Sequence, residues 1–136
     1  MTLSDLFKKL GAPLKSARWS WGSVRASDGT LFLRVWQDDC RRDNGKDIVW
    51  LSDTSEDDSS QGAVERREHV ALIQAGNPCF LVMCLARDTK ALPRVIKSFN
   101  EKELFSTGEL HTDEKGAWWI ERGPRIAFAE LLPKAG

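Results

Sequence analysis

The sequence predicts one small α+β domain, with a twisted, mostly antiparallel and barrel-like β-sheet flanked by two or three helices. Two observations lead to this prediction. About seven short apolar segments separated by turn residues predict strands, whereas few segments have the apolar spacing of a helix. The chain also contains no internal repeat and no low-complexity linker. We therefore expect a single domain over residues 1–136, with an N-terminal helix and linker at 1–14 and the barrel-like core at 15–132.

The first part of the chain predicts a helix followed by a β-hairpin. Apolar residues at positions 3, 6, 7 and 10 have helical spacing, and Gly11 ends that segment. Strands at 18–24 and 30–37 follow, joined by the turn sequence Asp28-Gly29. We expect apolar side chains on both faces of the second strand, with Leu31, Leu33 and Val35 on one face and Phe32, Arg34 and Trp36 on the other.

The middle of the chain predicts a third strand, an acidic loop and a second helix. The polar stretch 38–46 leads to a strand at 48–51, and the loop 53–62 should be mobile and lie outside the core. Residues 63–75 predict a helix that ends at Gly76 before Pro78. Its expected apolar stripe consists of Val64, Ala71, Leu72 and Ala75.

The last part of the chain predicts a central strand and several short ones. Residues 79–86 are apolar on both faces, which is typical of a buried strand. We expect a helical turn at 92–99 and a hairpin turn at 113–116. Short strands are predicted at 104–105, 108–110, 117–120 and 126–128.

Cysteine content and apolar run lengths favour a cytoplasmic protein. Cys40, Cys79 and Cys84 are an odd number, and the last two lie in an apolar run where free thiols pack as small hydrophobic groups. The N-terminus lacks the pattern of a secretory leader, and no apolar run approaches the roughly 20 residues that span a bilayer. We therefore expect neither secretion nor membrane insertion.

The charge distribution limits what kind of nucleic-acid binder the chain could be. The formal net charge is zero, and the acidic loop contains Asp53, Glu56, Asp57 and Asp58 without a basic residue, which leaves the remainder at +4. This balance excludes a strongly basic nucleic-acid binder. It is compatible with one that depends on a pocket more than on phosphate contacts.

Motifs for cofactors and metals are missing from the sequence. Neither a GxGxxG nor a GxxxxGK[ST] motif is present, so no nucleotide cofactor is predicted. Cys79 and Cys84 fall on opposite faces of a strand, and His69 and His111 lie in different elements without metal-ligand spacing. We predict no metal site and no cofactor.

The sequence identifies no catalytic reaction. Glu65 and His69 lie four residues apart on one helix face and could pair for acid–base chemistry, although an ordinary charged surface explains them as well. Asp38 and Asp39 at the end of a strand leave a metal-dependent nuclease as a minor alternative.

Tryptophan is the distinctive residue of this chain. Six tryptophans occur without a single tyrosine, and all six fall in predicted strands. Trp19 and Trp21 share a face, and Trp36, Trp50 and either Trp118 or Trp119 can join them across neighbouring strands. These indoles either fill the core or form a cavity wall, and aromatic cavities in proteins hold extruded bases or methylated cations.

The order of elements in the middle of the chain resembles that of PUA-like domains. A charged helix at 65–75 ends in Gly76 and runs directly into the apolar strand 77–82, like the helix, glycine and strand unit of this superfamily, which includes the EVE, ASCH, YTH and SRA types. Such domains are small twisted barrels, several of which hold a modified or extruded base in an aromatic pocket. The resemblance extends over residues 15–132, with Gly76-Asn77 in place of the usual glycine–aspartate pair.

The resemblance implies a non-catalytic domain that binds a modified or unpaired base of DNA or RNA. It implies stacking on Trp19, Trp21, Trp36 and Trp50, contacts of Arg34, Asp38 and Ser52 with the base edge, and phosphate contacts of Arg66, Arg67 and Lys97. The alternative is a protein-interaction module, or an accessory or inhibitor subunit, that uses exposed tryptophans and the acidic loop to bind a protein partner.

Overall fold

The structure, a computed structural model, describes residues 1–53, 59–91 and 94–133. It confirms an α+β fold with two α-helices and an eight-stranded sheet among these residues. None of the described helices has the length and apolar character needed to cross a membrane. The elements are α1 (Leu3–Lys9), β1 (Gly22–Val24), β2 (Leu31–Trp36), β3 (Cys40–Asp43), β4 (Lys46–Ser52), α2 (Gln61–Gln74), β5 (Cys79–Ala86), β6 (Ile96–Phe99), β7 (Glu103–Thr112) and β8 (Trp118–Ala127), with 3₁₀ turns at Gln37–Asp39 and Phe128–Leu131.

The sheet is mostly antiparallel and is not closed into a barrel. Its strand order is β1-β2-β5-β7-β8-β4-β3, with β6 paired to β5, and the β2–β5 pair is parallel. Closure fails because β1 pairs only with residues 31–33 of β2, and β3 pairs only with residues 46–49 of β4. The remaining edges, residues 34–36 of β2 and 50–52 of β4, border a gap that we call the seam.

Two apolar clusters lie on opposite faces of the curled sheet. The alternation predicted for β2 is confirmed, because Leu31, Leu33 and Val35 belong to one cluster and Phe32 to the other. We call the cluster that contains Leu31, Leu33 and Val35 the inner cluster and the cluster that contains Phe32 the outer cluster. The outer cluster is covered by α1. In β5 the free thiols of Cys79 and Cys84 are likewise divided between the two clusters. The inner cluster also contains Val49, Leu51, Val70, Leu81, Phe105 and Ile120, and the outer cluster contains Leu6, Phe7, Leu10, Val82 and Leu104.

The hairpin at β3 and β4 was missed by the sequence prediction. Asn44 and Gly45 both have positive φ values, 49° and 77°, as a tight two-residue hairpin turn requires. Asn-Gly is a strong hairpin signal, but the flanking residues 40–43 are mostly charged and lack the apolar alternation of a strand. Their pairing with β4 supplies the backbone hydrogen bonds instead.

The later strands are longer than predicted, and one predicted helical turn is wrong. Residues 96–99 form β6, an edge strand on β5, whereas residues 92–93 of that predicted turn lie outside the described part of the chain. The four predicted short strands merge into β7 and β8, which are ten residues each. Gly108 and Gly123 lie where the register of this pair shifts.

The predicted apolar stripe of α2 is wrong. Val64 is 41% exposed and Ala71 and Ala75 are also exposed, whereas Glu65, Arg66 and His69 are buried. Polar residues of α2 are buried because the backbone groups at the edges of β2 and β4 that border the seam need polar partners. The predicted acidic loop is described only at its ends, since residues 54–58 lie outside the described residues.

Candidate functional site

Arg66 of α2 connects the two sheet edges that border the seam. Its guanidinium is 2% exposed and donates to the Leu51 carbonyl of β4 at 3.0 Å. On the other side it donates to the carbonyls of Trp21 at 3.0 Å and Arg34 at 2.8 Å. Burial lowers the pKa of Arg66 to about 10, so the side chain stays charged at neutral pH. A charged side chain therefore takes the place of strand pairing.

Glu65, the neighbouring residue on α2, fixes the segment that leads into β1. Its carboxylate accepts hydrogen bonds from the Trp21 backbone N–H and the Ser20 hydroxyl, each at 3.0 Å. The first turn of α2 also lies very close to Trp21, because a Cβ atom at Gly62 would be 2.2 Å from the indole nitrogen. Trp21 is thus held by a carboxylate on its backbone and by a helix against its ring.

A cavity of about 940 Å³ lies beside the seam, a volume typical of small-molecule sites. Five of the six tryptophans line it, and the ring centroids of Trp21 and Trp50 are 6.4 Å apart with an interplanar angle of 52°. The aromatic and charged residues of the lining are Trp19, Trp21, Trp36, Trp50 and Trp119, the arginines Arg18, Arg34, Arg66 and Arg94, and Asp39.

Carboxylates orient two of the indoles at this cavity. Trp50 Nε1 donates to Asp53 at 3.0 Å, and Trp119 Nε1 donates to Asp113 at 3.1 Å. The hydrogen bond from Trp119 is the main reason why the pKa of Asp113 is lowered. The Arg41 guanidinium covers the Trp119 ring at 3.9 Å from its centroid. Because their N–H groups already have partners, these rings offer a ligand mainly their π faces.

Arg34 differs from the other cationic residues at the cavity. Its side chain projects from β2 and is partly buried, and burial lowers its pKa. Among the described residues its guanidinium has neither a hydrogen bond nor an ion pair, whereas Arg94 pairs with Asp38 at 2.9 Å and with Asp39 at 3.2 Å. A desolvated cation without a partner is energetically unfavourable. The cavity therefore contains a donor group that is available to a ligand.

Several other predicted site residues lie away from the cavity surface. Asp38 is engaged by Arg94, and its neighbour Asp39 lines the cavity instead. Ser52 is 3% exposed and donates to the Asp53 carbonyl at 3.0 Å. Arg67 on α2 and Lys97 on β6 do not line the cavity. Arg66 lines it, but its terminal nitrogens donate to backbone carbonyls and its Nε is buried without a hydrogen bond among the described residues, so we do not propose it as a phosphate ligand.

The structure adds residues that the sequence did not single out for this site. Trp118 packs against the inner cluster, so Trp119 is the member of that pair at the cavity. The alternation of side chains along a strand could have separated them once the face of Ile120 was known. No local sequence pattern identifies Arg18 or Arg94 as site residues, because only the tertiary fold brings them close to the tryptophans.

The chemistry of the cavity has to be judged from its own geometry. No family model, no curated protein and no solved structure matches this chain. The resemblance to PUA-like domains thus stays a prediction, and the residues described above carry the argument.

Burial and existing hydrogen bonds make Cys79, Cys84, His69 and Glu65 poor candidates for catalytic groups. Burial raises the pKa of Cys79 to about 12 and that of Cys84 to about 11, so both thiols stay protonated and unreactive. His69 is 6% exposed, and burial with the nearby Arg66 lowers its pKa to about 4. The carboxylate of Glu65 is hydrogen-bonded to Ser20 and Trp21, and the structure places no hydrogen bond between Glu65 and His69.

Acidification should destabilise the fold through His69. Its pKa is about 4 in the folded state, below the ordinary histidine value of 6.5, so the unfolded state binds the proton more tightly. Stability is therefore fully present above pH 6.5 and is lost as the pH falls toward 4, by about 2–3 kcal/mol. Urea unfolding at pH 7 and pH 4.5 should show a smaller loss in His69→Gln than in the wild type. An equal loss in both proteins contradicts this assignment, and His111→Gln is the control.

Proposed function

We propose that this chain is a non-catalytic nucleic-acid-binding domain that holds an unpaired or extruded base, modified or unmodified, in the tryptophan-lined cavity. The observation that carries the proposal is the partly buried guanidinium of Arg34, which has no partner among the described residues and lies in a cavity walled by indoles. Indole faces stack on any base, and a guanidinium donates to the acceptor atoms of a base edge.

The charge of the cavity favours a base over a methylated cation. Aromatic cages bind quaternary ammonium groups when no positive charge competes with the ligand. Among the described residues, four arginines and one aspartate line the cavity, and Asp39 already pairs with Arg94. A cationic ligand would be repelled by Arg34 and Arg18. The favoured ligand is therefore planar, rich in hydrogen-bond acceptors, and neutral or anionic.

Two exposed arginines near the cavity are candidates for phosphate contacts. Arg18 lines the cavity, and Arg41 stacks on the outer side of Trp119. Arg18 and Arg41 would make the phosphate contacts that were predicted for Arg66, whose side chain is too buried to reach a phosphate. Since the chain has no net charge, we expect few phosphate contacts and a modest salt dependence of binding.

The protein-interaction alternative has less support from the tryptophans. A flat apolar patch would favour a protein partner, whereas a concave cavity favours a small planar group. Five tryptophans line the cavity and Trp118 packs against the inner cluster. The exposed large hydrophobic residues of the described chain lie in different segments, namely Met1, Val64, Leu85, Val95 and Leu132.

Tryptophan fluorescence tests the proposal directly, because most of the fluorophores line the cavity. Single-stranded DNA and RNA oligonucleotides added to the full chain should change the emission in a saturable way, since stacked bases alter the surroundings of the indoles. Unchanged emission at tens of micromolar oligonucleotide would refute base binding. A protein of matched size and tryptophan content that does not bind nucleic acid controls for absorption by the added bases.

A further inference from the structure

Three metal-ligating side chains converge on the sheet away from the lining of the cavity. Glu109 and His111 occupy alternate positions of β7 and so share one face, and Glu121 lies on the neighbouring strand β8. One ligand atom from each residue lies within 4.8 Å of the other two. His111 Nε2 and Glu121 Oε2 are already 2.5 Å apart.

A register shift in the β7–β8 pair helps to create this cluster. The shift falls between Thr107 and Leu110, and it includes Gly108 and Glu109. Glycine leaves room for the partner carboxylate, because a Cβ atom at Gly108 would be 2.7 Å from Glu121 Oε1. Bulges of this kind redirect side chains and are enriched next to functional sites.

The charges of the cluster are incompletely compensated. Its two carboxylates have one cationic neighbour among the ion pairs of the described residues, Lys46, whose Nζ is 3.9 Å from Glu121 Oε1. The Glu109 carboxylate has neither a hydrogen bond nor an ion pair with any described residue. Two carboxylates and one imidazole are held together with a charge that a divalent cation would neutralise.

We propose that Glu109, His111 and Glu121 form a binding site for a divalent transition-metal ion such as Zn²⁺. One imidazole and two carboxylates are a donor set that zinc uses when water fills the remaining position. Tetrahedral zinc requires ligand atoms about 3.3 Å apart. The exposed Glu109 reaches this distance by a rotamer change, and His111 Nε2 and Glu121 Oε2, now 2.5 Å apart, separate when the ion replaces their hydrogen bond. The sequence did not predict this site because its ligands form no linear metal motif. Glu109 and His111 alternate along one strand, and Glu121 lies on the neighbouring strand.

Isothermal titration of the full, tag-free chain with Zn²⁺ at pH 7.5 tests this proposal. We expect one equivalent to bind with micromolar affinity, and His111→Ala and Glu121→Gln each to weaken binding at least about tenfold. Glu109→Gln should also weaken binding and leave the fold unaffected, because this carboxylate has no hydrogen bond or ion pair with any described residue. Glu114→Gln, which changes a carboxylate in the nearby turn, is the matched control.

Cobalt provides an independent readout of the same site. Co²⁺ added to the wild type should give visible absorption bands of a low-symmetry nitrogen and oxygen site, and His111→Ala should remove them. Absence of saturable Zn²⁺ binding overturns the proposal. Zn²⁺ binding that persists unchanged in both His111→Ala and Glu109→Gln overturns it as well.

Discussion

Replacing Arg66 by methionine is expected to lower the free energy of unfolding by about 3–5 kcal/mol, the largest effect of any single substitution considered for stability. The substitution leaves the carbonyls of Arg34 and Leu51 without their donor at the seam, whereas the Trp21 carbonyl still accepts from the Arg34 backbone N–H at 2.9 Å. Each buried carbonyl without a partner costs about 1–3 kcal/mol, and part of that loss is offset because a buried charge is removed. Methionine keeps a similar length and a high helix propensity, so the change isolates the polar contacts.

Denaturant unfolding monitored by tryptophan fluorescence measures this effect. Arg87→Met, at an exposed position in the loop after β5, is the matched control and should change stability by less than about 0.5 kcal/mol. A loss below about 1 kcal/mol in Arg66→Met would show that the seam is not held by this side chain. The emission of the folded variant should also shift, since Arg66 contacts both the carbonyl and the ring of Trp21.

Arg34→Met is expected to weaken oligonucleotide binding by about tenfold to a hundredfold, which corresponds to about 1–3 kcal/mol of lost base contact. The same substitution should leave stability unchanged or raise it, because burial disfavours the charged form of this unpaired guanidinium. A residue that serves only the fold would show the opposite pattern. Opposite signs for binding and stability are typical of residues that are retained for function.

Two further variants make this prediction specific. Trp36→Ala should also reduce affinity, by about 1–3 kcal/mol, because it removes one stacking surface. Arg94→Met removes a cavity arginine that pairs with Asp38 and Asp39, so it should lower stability while affecting binding less than Arg34→Met. Equal losses of binding in Arg34→Met and Arg94→Met would contradict the role given to the unpaired guanidinium.

Those parts of the fold that depend on local signals were predictable from the sequence. The first helix has a capping box between Thr2 and Asp5 and ends at Lys9, shortly before Gly11. The Asp28-Gly29 turn joins β1 to β2 as expected, although β1 covers only Gly22–Val24 of the predicted strand 18–24. The central position of β5 followed from its two apolar faces. These features are encoded within a few neighbouring residues, and the remainder of the chain has little influence on them.

The burial of charged residues on α2 and the open seam of the sheet could not be predicted in the same way. Glu65 and Arg66 belong to a charged segment that is normally exposed to solvent, and their burial follows from two sheet edges that lack strand partners. The two edges, on β2 and β4, cannot be identified until the lengths of β1 and β3 are known. The predicted tryptophans Trp19, Trp21, Trp36 and Trp50 do line one cavity, but the ion pairs of Arg94 and the unpaired state of the Arg34 guanidinium depend on tertiary contacts.

The most direct measurement compares two duplexes of equal length and charge, one fully paired and one with a base placed opposite an abasic site. The unpaired base is easier to extrude, so the cavity should bind that duplex at least about tenfold more tightly at physiological salt. In Arg34→Met this preference should disappear, while weak binding to both duplexes remains. Equal affinity of the wild type for the two duplexes, or an unchanged preference in Arg34→Met, would contradict the account.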